Sequence, residues 1–222
     1  MVQNCINNDS DGGRLMTRGQ RRARRTFAKP LVAFAALAAL AAPALAQKAE
    51  RPVVKAGDRW RFETRINGAT VKWLDREWVI TAVKPLEIDG TENGKPLQLT
   101  PNLNNIQSPS RTDSDRRLLN FPLEVGKRWR FSNEYTVTSI DVPSRSDYRV
   151  GVAGYEKVSV PAGEFDAFKL LAQGRWTAGG LSGETTLTYW YAPAARAIVK
   201  MEAEDTVWGS RTSELAEYHL EP

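Results

Sequence analysis

The chain is poor in residues for soft-metal and nucleophilic chemistry: its 222 residues include one histidine, His219, and one cysteine, Cys5. With no second histidine and no later cysteine, a zinc site of the usual nitrogen and sulfur kind is excluded and a Ser-His-acid triad is hard to build. Cys5 lies close to the start, so the rest of the chain forms no internal disulfide and depends on packing. No phosphate-cradling glycine loop or dinucleotide fingerprint is present. Gly179-Gly180 and Gly183 lack the strand-to-helix context such a loop needs and read as a turn. A calcium loop around Asp113 and Asp115 lacks an ordered set of oxygen ligands. No catalytic residue, metal site or cofactor is therefore assigned.

Long apolar runs are also missing. The longest, Pro30 to Ala42, is too short and too alanine-rich for a comfortable membrane span. It follows Arg24-Arg25-Thr26-Phe27-Ala28-Lys29 and precedes Ala44-Leu45-Ala46, the order of a secretory signal with a small-x-small cleavage site. Arg-Arg-x-Phe-x-Lys fits a twin-arginine leader, and an arginine-rich general secretory leader fits as well. Cleavage after Ala46 would make Gln47 the new N-terminus, with no stable membrane span left. Met16 precedes a more ordinary leader and is a second candidate start. Residues 1–46 are thus expected to be a signal peptide and 47–222 a single β-domain, exported to the periplasm.

The excess of positive charge is confined to that leader. It carries seven of the 31 basic side chains and two of the 26 acidic ones, leaving 24 of each in residues 47–222. A neutral domain gives no electrostatic reason to expect nucleic acid or an anionic membrane as partner.

What is present is strand periodicity. Gly57-Asp58-Arg59-Trp60-Arg61-Phe62 is echoed by Gly126-Lys127-Arg128-Trp129-Arg130-Phe131, with aromatics two apart and arginine between. From Trp60 to Ile66 apolar and charged residues alternate, and Asn67-Gly68 supplies a two-residue hairpin turn. That turn would place Phe62 opposite Trp73 and Trp60 opposite Asp75. A β-bulge near Asp75-Arg76 would then return Trp78 and Ile80 to the core, or Asp75 and Glu77 would sit in a polar cavity. Residues 84–120 are rich in Pro, Asn and Ser and read as a long loop with short edge strands at Leu86–Ile88 and Leu97–Leu99, either a lid or a disordered insertion. A turn is expected at Pro143 to Asp147, then a strand Tyr148–Val160, a hairpin turn through Pro161 and Gly163, and a return strand Phe165–Trp176. Further strands are expected over 185–192 and 197–205, and 212–220 as a last strand or a helical turn.

Hairpin-linked strands with no helical period between them give an all-β fold. Roughly eight to ten strands are too many for an open sheet with a dry face, so a single antiparallel meander curled into a half-barrel or barrel is expected.

Three features together, Gly-x-x-Trp-x-Phe, Val160-Pro161-Ala162-Gly163-x-Phe165-x-Ala167-x-Lys169 and Tyr189-Trp190-Tyr191-Ala192-Pro193 followed by Val199-Lys200, carry a resemblance. Over residues 121–220 the chain resembles a widespread family of exported bacterial β-rich proteins of unknown function. The resemblance implies a periplasmic or surface β-domain and transfers no active site.

The candidate ligand-binding residues are Trp60, Trp73, Trp129, Tyr189, Trp190 and Tyr191, an aromatic platform for a sugar or an acyl chain; the competing reading makes them plain core. Because Tyr189, Trp190 and Tyr191 are consecutive, one of them is expected to point outward on a polar face. Three functions follow. The first is a non-enzymatic envelope protein binding an amphipathic or lipid-like ligand, or an envelope partner. The second is a structural or interaction domain with a filled core. The third is a glycan hydrolase built on a carboxylate pair such as Asp75 and Glu77.

Overall fold

The computed structural model describes residues 47–66, 73–114, 116–139 and 141–222, with the backbone but not the side chain of Trp73. The leader and the Asn67-Gly68 turn lie outside the described residues.

Strands are numbered in chain order. Two short ones, β1 (Lys48–Ala49) and β8 (Leu123–Glu124), pair with each other apart from the main sheet. The others are β2 (Arg59–Ile66), β3 (Trp73–Val83), β4 (Ile88–Glu92), β5 (Lys95–Leu99), β6 (Asn105–Ser108) and β7 (Arg111–Asp113). They continue as β9 (Arg128–Val137), β10 (Val142–Val160), β11 (Gly163–Ala178), β12 (Leu181–Ala192), β13 (Ala197–Asp205) and β14 (Gly209–His219). Each pairs antiparallel with its neighbour in sequence, apart from the step over β8, and β14 closes on β2 to give a barrel of twelve strands. A barrel that wide does not fill with side chains from its own wall as an eight-stranded one does.

The repeated motif has the same structure twice. Gly57 and Gly126 both take the left-handed backbone conformation, at φ +97° and +92°. The Gly57 N–H donates to the Ile80 carbonyl (2.8 Å) and the Gly126 N–H to the Val152 carbonyl (2.9 Å). Ile80 and Val152 return the bond to the carbonyls of Asp58 and Lys127, each at 2.9 Å. A side chain at either glycine would be strained by that φ. Each motif thus anchors the start of a strand to the strand after it, and register irregularities follow at Ile80/Ala82 and Val152/Gly154. Trp60 and Trp129 both turn toward the interior: Trp60 is fully buried, and Trp129 is half-buried against the second apolar cluster.

Several expectations are corrected. The β2–β3 register pairs Arg65 with Trp73, Phe62 with Arg76 and Trp60 with Trp78, so it is offset by three residues from the one a two-residue Asn67-Gly68 turn gives. The pairing is continuous from Arg59 to Arg65, and no bulge forms at Asp75-Arg76. Asp75 and Glu77 are both exposed on the wall, Asp75 at the edge of the interior cavity and Glu77 away from it. Residues 84–120 are no lid or insertion, since they contribute β4, β5, β6 and β7 to the barrel. Pro143 to Asp147 is strand, not turn: Pro143 pairs with Thr136 and Asp147 with Ser132, a prolonged extension of β10. The C-terminal segment is strand throughout 209–219. The hairpin turns at Pro161-Ala162 and at Gly179-Gly180 lie where the sequence placed them, with Val160 opposite Gly163 and Ala178 opposite Leu181.

Candidate functional site

The barrel interior is graded along its axis. At one end Trp60, Leu99, Leu118 and Leu119 are buried, and the Trp60 indole donates to the Ala195 carbonyl at 2.8 Å. Asn104 ties the segment entering β8 to this floor: its Nδ2 donates to the Leu119 carbonyl and its Oδ1 accepts the Leu119 N–H, both at 2.8 Å. Behind it, Asp58 is fully buried and takes the Arg196 guanidinium at 3.0 Å, the Lys55 N–H at 3.0 Å and the Glu221 N–H at 2.8 Å.

Toward the other end the inward positions become polar. Asn133, an anomaly on an otherwise aromatic face, donates to Asp113 at 2.7 Å and accepts from Ser146 at 2.7 Å. Asp113 also receives Arg111 Nε at 2.7 Å and Asn105 at 2.9 Å, so this buried carboxylate is fully partnered. The Arg111 guanidinium lies 3.6 Å from the Tyr135 ring centroid. Asp205 accepts the Trp176 indole N–H at 2.8 Å, the Thr185 hydroxyl, and the backbone N–H groups of Val207 (2.9 Å) and Trp208 (3.0 Å). Partial burial pushes its carboxyl up, but these hydrogen bonds outweigh it and hold the group below the ordinary carboxylate range.

Two glycines permit the aromatic lining. A Cβ on Gly174 would lie 2.3 Å from the Tyr148 ring paired across from it, and one on Gly183 would lie 2.6 Å from the Trp176 indole. Each ring lies flat over a strand backbone that only glycine leaves bare.

Between floor and rim is a cavity of about 720 Å³, reached past the half-exposed Leu74 and the 61% exposed Trp208, which stacks on Trp176 at 6.1 Å between centroids. Its apolar surface comes from Trp60, Phe62, Leu99, Leu118, Leu187 and Met201. Into the middle come Arg76, Arg116 and Arg211 beside Tyr148 and Tyr189. Arg116 is 3.8 Å from the already saturated Asp113. Arg76 reaches Ser213 Oγ at 3.4 Å, and its Nε is sealed from solvent without a hydrogen-bond partner. Among the described residues neither Arg76 nor Arg211 has a carboxylate within 4 Å. Burial pulls the Arg76 guanidinium below its ordinary range; Glu92 opposes this, and the like charges of Arg211 and Arg116 add to it. Arginine nonetheless stays charged at neutral pH. The Tyr189 phenol is pushed up by burial and drawn back by Arg116 and Arg211.

Of the six residues proposed from the sequence, Trp60 and Tyr189 line this cavity. Trp73 has no described side chain. Trp129, Trp190 and Tyr191 do not line it. Trp129 is half-buried against the second apolar cluster, its indole donating to the Arg117 carbonyl at 2.7 Å. The expectation of an outward aromatic is also overturned, because Tyr189, Trp190 and Tyr191 are 4%, 7% and 1% exposed. Their faces do alternate: Tyr189 and Tyr191 join one apolar cluster and Trp190 the other. Trp190 is sealed by the ammonium groups of Lys169 and Lys200, 5.2 and 5.3 Å from its ring, and its indole donates to Glu156 at 2.8 Å. The tip of the β10–β11 hairpin folds onto β14, with Ala162 N–H donating to Leu215 O at 3.0 Å. The six candidates left out Trp78 and Trp176, which the sequence reading placed inside the barrel without assigning them to the site, and that reading missed Tyr148 and all the arginines. The available signal was Arg76, Trp78 and Ile80 at spacing two, the same face as a plainly buried isoleucine.

The wall carrying the Tyr-Trp-Tyr run and the Pro161 hairpin decides the relationship. Residues 116–216 match the DUF3108 family of proteins of unknown function. The DUF3108 stretch runs from Arg116 to β14, so it supplies Arg116, Arg211, Tyr148, Tyr189 and Trp176, while Trp60 and Arg76 come from strands before it. The resemblance read from the sequence motifs holds over this stretch. Two solved structures are similar in fold over most of the chain. A candidate exported protein of Bacteroides fragilis with a YmcC-like fold superposes with TM-score 0.50 at 14% identity, covering 77% of this chain and 99% of its own. A candidate lipoprotein of Parabacteroides distasonis gives 0.52 at 12% identity, with the same coverage of 77% and 99%. At such identities the likeness is one of fold. No curated protein matches the chain.

Proposed function

We propose that the protein is exported to the periplasm and holds an amphipathic, lipid-like molecule inside its barrel without transforming it. The observation that carries this reading is the cavity of about 720 Å³ with an apolar floor and a polar middle. Small-ligand sites typically occupy roughly 300–1,000 Å³ and combine apolar walls with a few placed polar groups. Export is supported by the leader-like residues 1–46 and by the descriptions of the fold neighbours as a candidate exported protein and a candidate lipoprotein.

A binding role fits the carboxylates better than hydrolysis does. Glu92 accepts the Trp78 indole at 2.8 Å, Asp205 is held by four donors, and Asp75 and Glu77 stand exposed on the wall, so among the described residues no acid in a dry pocket faces a second across a cleft. A partner strand is disfavoured because a closed barrel leaves no free edge to extend. A filled structural core is disfavoured by the cavity itself.

The test is mass spectrometry of organic extracts of the protein purified from the periplasm of its own host. A near-stoichiometric amphiphile is expected, with an intact N-terminus at Gln47. A clean blank would favour the structural reading.

A further inference from the structure

Resting on the amphiphile reading above, we infer that the ligand's head group is an acid, a carboxylate or a phosphate, seated on Arg76 and Arg211 with Arg116 beside them. The cavity's charges are not matched in contact. Its acids are held away from these arginines: Asp205 by hydrogen-bond donors, Glu92 by the Trp78 indole, nearby Asp113 by Arg111, Asn105 and Asn133, and Asp75 by its exposed place at the cavity edge. Arg196 is likewise held, by Asp58. What is left facing the empty volume is two guanidinium groups without a carboxylate and a third at 3.8 Å from a shared one.

A guanidinium withdrawn from water with no carboxylate in contact is disfavoured, and three near one another repel as well. An anion among them removes both penalties, and the guanidinium fork matches the two oxygens of a carboxylate or phosphate. The Arg76 Nε, sealed without a partner, shows that the surrounding wall does not saturate this guanidinium. The register then fixes the orientation. Along β2 and β3, inward pairs run from Trp60–Trp78 through Phe62–Arg76 to Thr64–Leu74, so Arg76 stands one layer above the aromatic floor and one below the entrance. A head held at Arg76 sends its chain down against Trp60, Leu99, Leu103 and Leu118.

The experiment measures competition by a panel with a common chain against a fluorescent fatty-acid probe: dodecanoate, dodecyl phosphate, dodecanol and dodecyltrimethylammonium, with inorganic phosphate alone. The two acids are expected to bind about tenfold or more tightly than dodecanol, roughly 1.4 kcal/mol per factor of ten, and the cation most weakly. Arg76→Gln and Arg211→Gln, made separately, should each bring the acid-to-alcohol ratio toward one, whereas Glu77→Gln on the outer wall keeps it. Should either variant fail to fold, the wild-type ratio decides the matter alone. Equal binding of acid and alcohol, or preference for the cation, overturns the acidic head and leaves the amphiphile reading standing. Inorganic phosphate as tight as dodecyl phosphate overturns the need for a chain. No binding by any member overturns the amphiphile reading itself.

Discussion

Single side chains here divide into those that hold the barrel and those that shape its hollow. Asp58 belongs to the first group: fully buried, paired with Arg196 and accepting two backbone N–H groups. Removing one partner of a buried ion pair strands the other, at a typical cost of about 3–5 kcal/mol. Asp58→Ala should therefore lower stability by that order in urea unfolding, as should Asp113→Ala, which strands Arg111. Trp60→Ala removes a fully buried indole and leaves the Ala195 carbonyl without its donor, and about 3–5 kcal/mol is expected. Trp129→Ala, half-buried, should cost roughly half as much. Equal losses from the two tryptophans would contradict the asymmetry between their surroundings. Gly183→Ala should displace Trp176 from its flat position, and the near-ultraviolet circular dichroism of the Trp176–Trp208 stack reports it.

At the scale of elements, the β13–β14 turn is held by one carboxylate. Asp205 binds the N–H groups of Val207 and Trp208 and the Trp176 indole, so it positions the stacked tryptophans at the cavity entrance. Its folded-state pKa is depressed relative to the unfolded chain, so its contribution is present above the unfolded value and is lost as pH falls through the folded one. Tryptophan fluorescence should shift with acidification at pH values below the ordinary aspartate range, and Asp205→Asn should abolish that transition. A transition unchanged in Asp205→Asn would assign it elsewhere. Elements also differ in how legible they were. Strands β2 and β9 stood out because apolar inward residues alternate with arginine. Strand β4 did not: its buried positions are Ile88, Gly90 and Glu92, so burial alternates while hydrophobicity does not. The β2–β3 register was misread because the Asn-Gly dipeptide suggested a tight turn, and that offset hid Arg76 on the outside. The candidate site was legible in its aromatics at Trp60 and Tyr189 and invisible in its arginines, which in a strand read as solvent-facing until pairing is known.

Across the whole molecule, closure of a twelve-stranded meander gives the chain a hollow that its own wall does not fill. The hairpin turns and the alternation of β2, β9 and β13 were enough to infer a curled antiparallel sheet. Closure itself depends on β4 to β7, which the polar composition of residues 84–120 concealed. A domain without disulfides that keeps unpaired arginines inside this hollow is shaped for an occupant rather than for packing alone.

That claim is tested most directly by quenching with dodecanoate brominated at the end of its chain, followed through tryptophan emission. The account predicts saturable quenching, strongly reduced in Trp60→Phe because the chain end rests on the cavity floor, and preserved in Trp129→Phe outside the cavity. Absence of saturable quenching, or quenching indifferent to Trp60→Phe, would contradict a ligand held within the barrel.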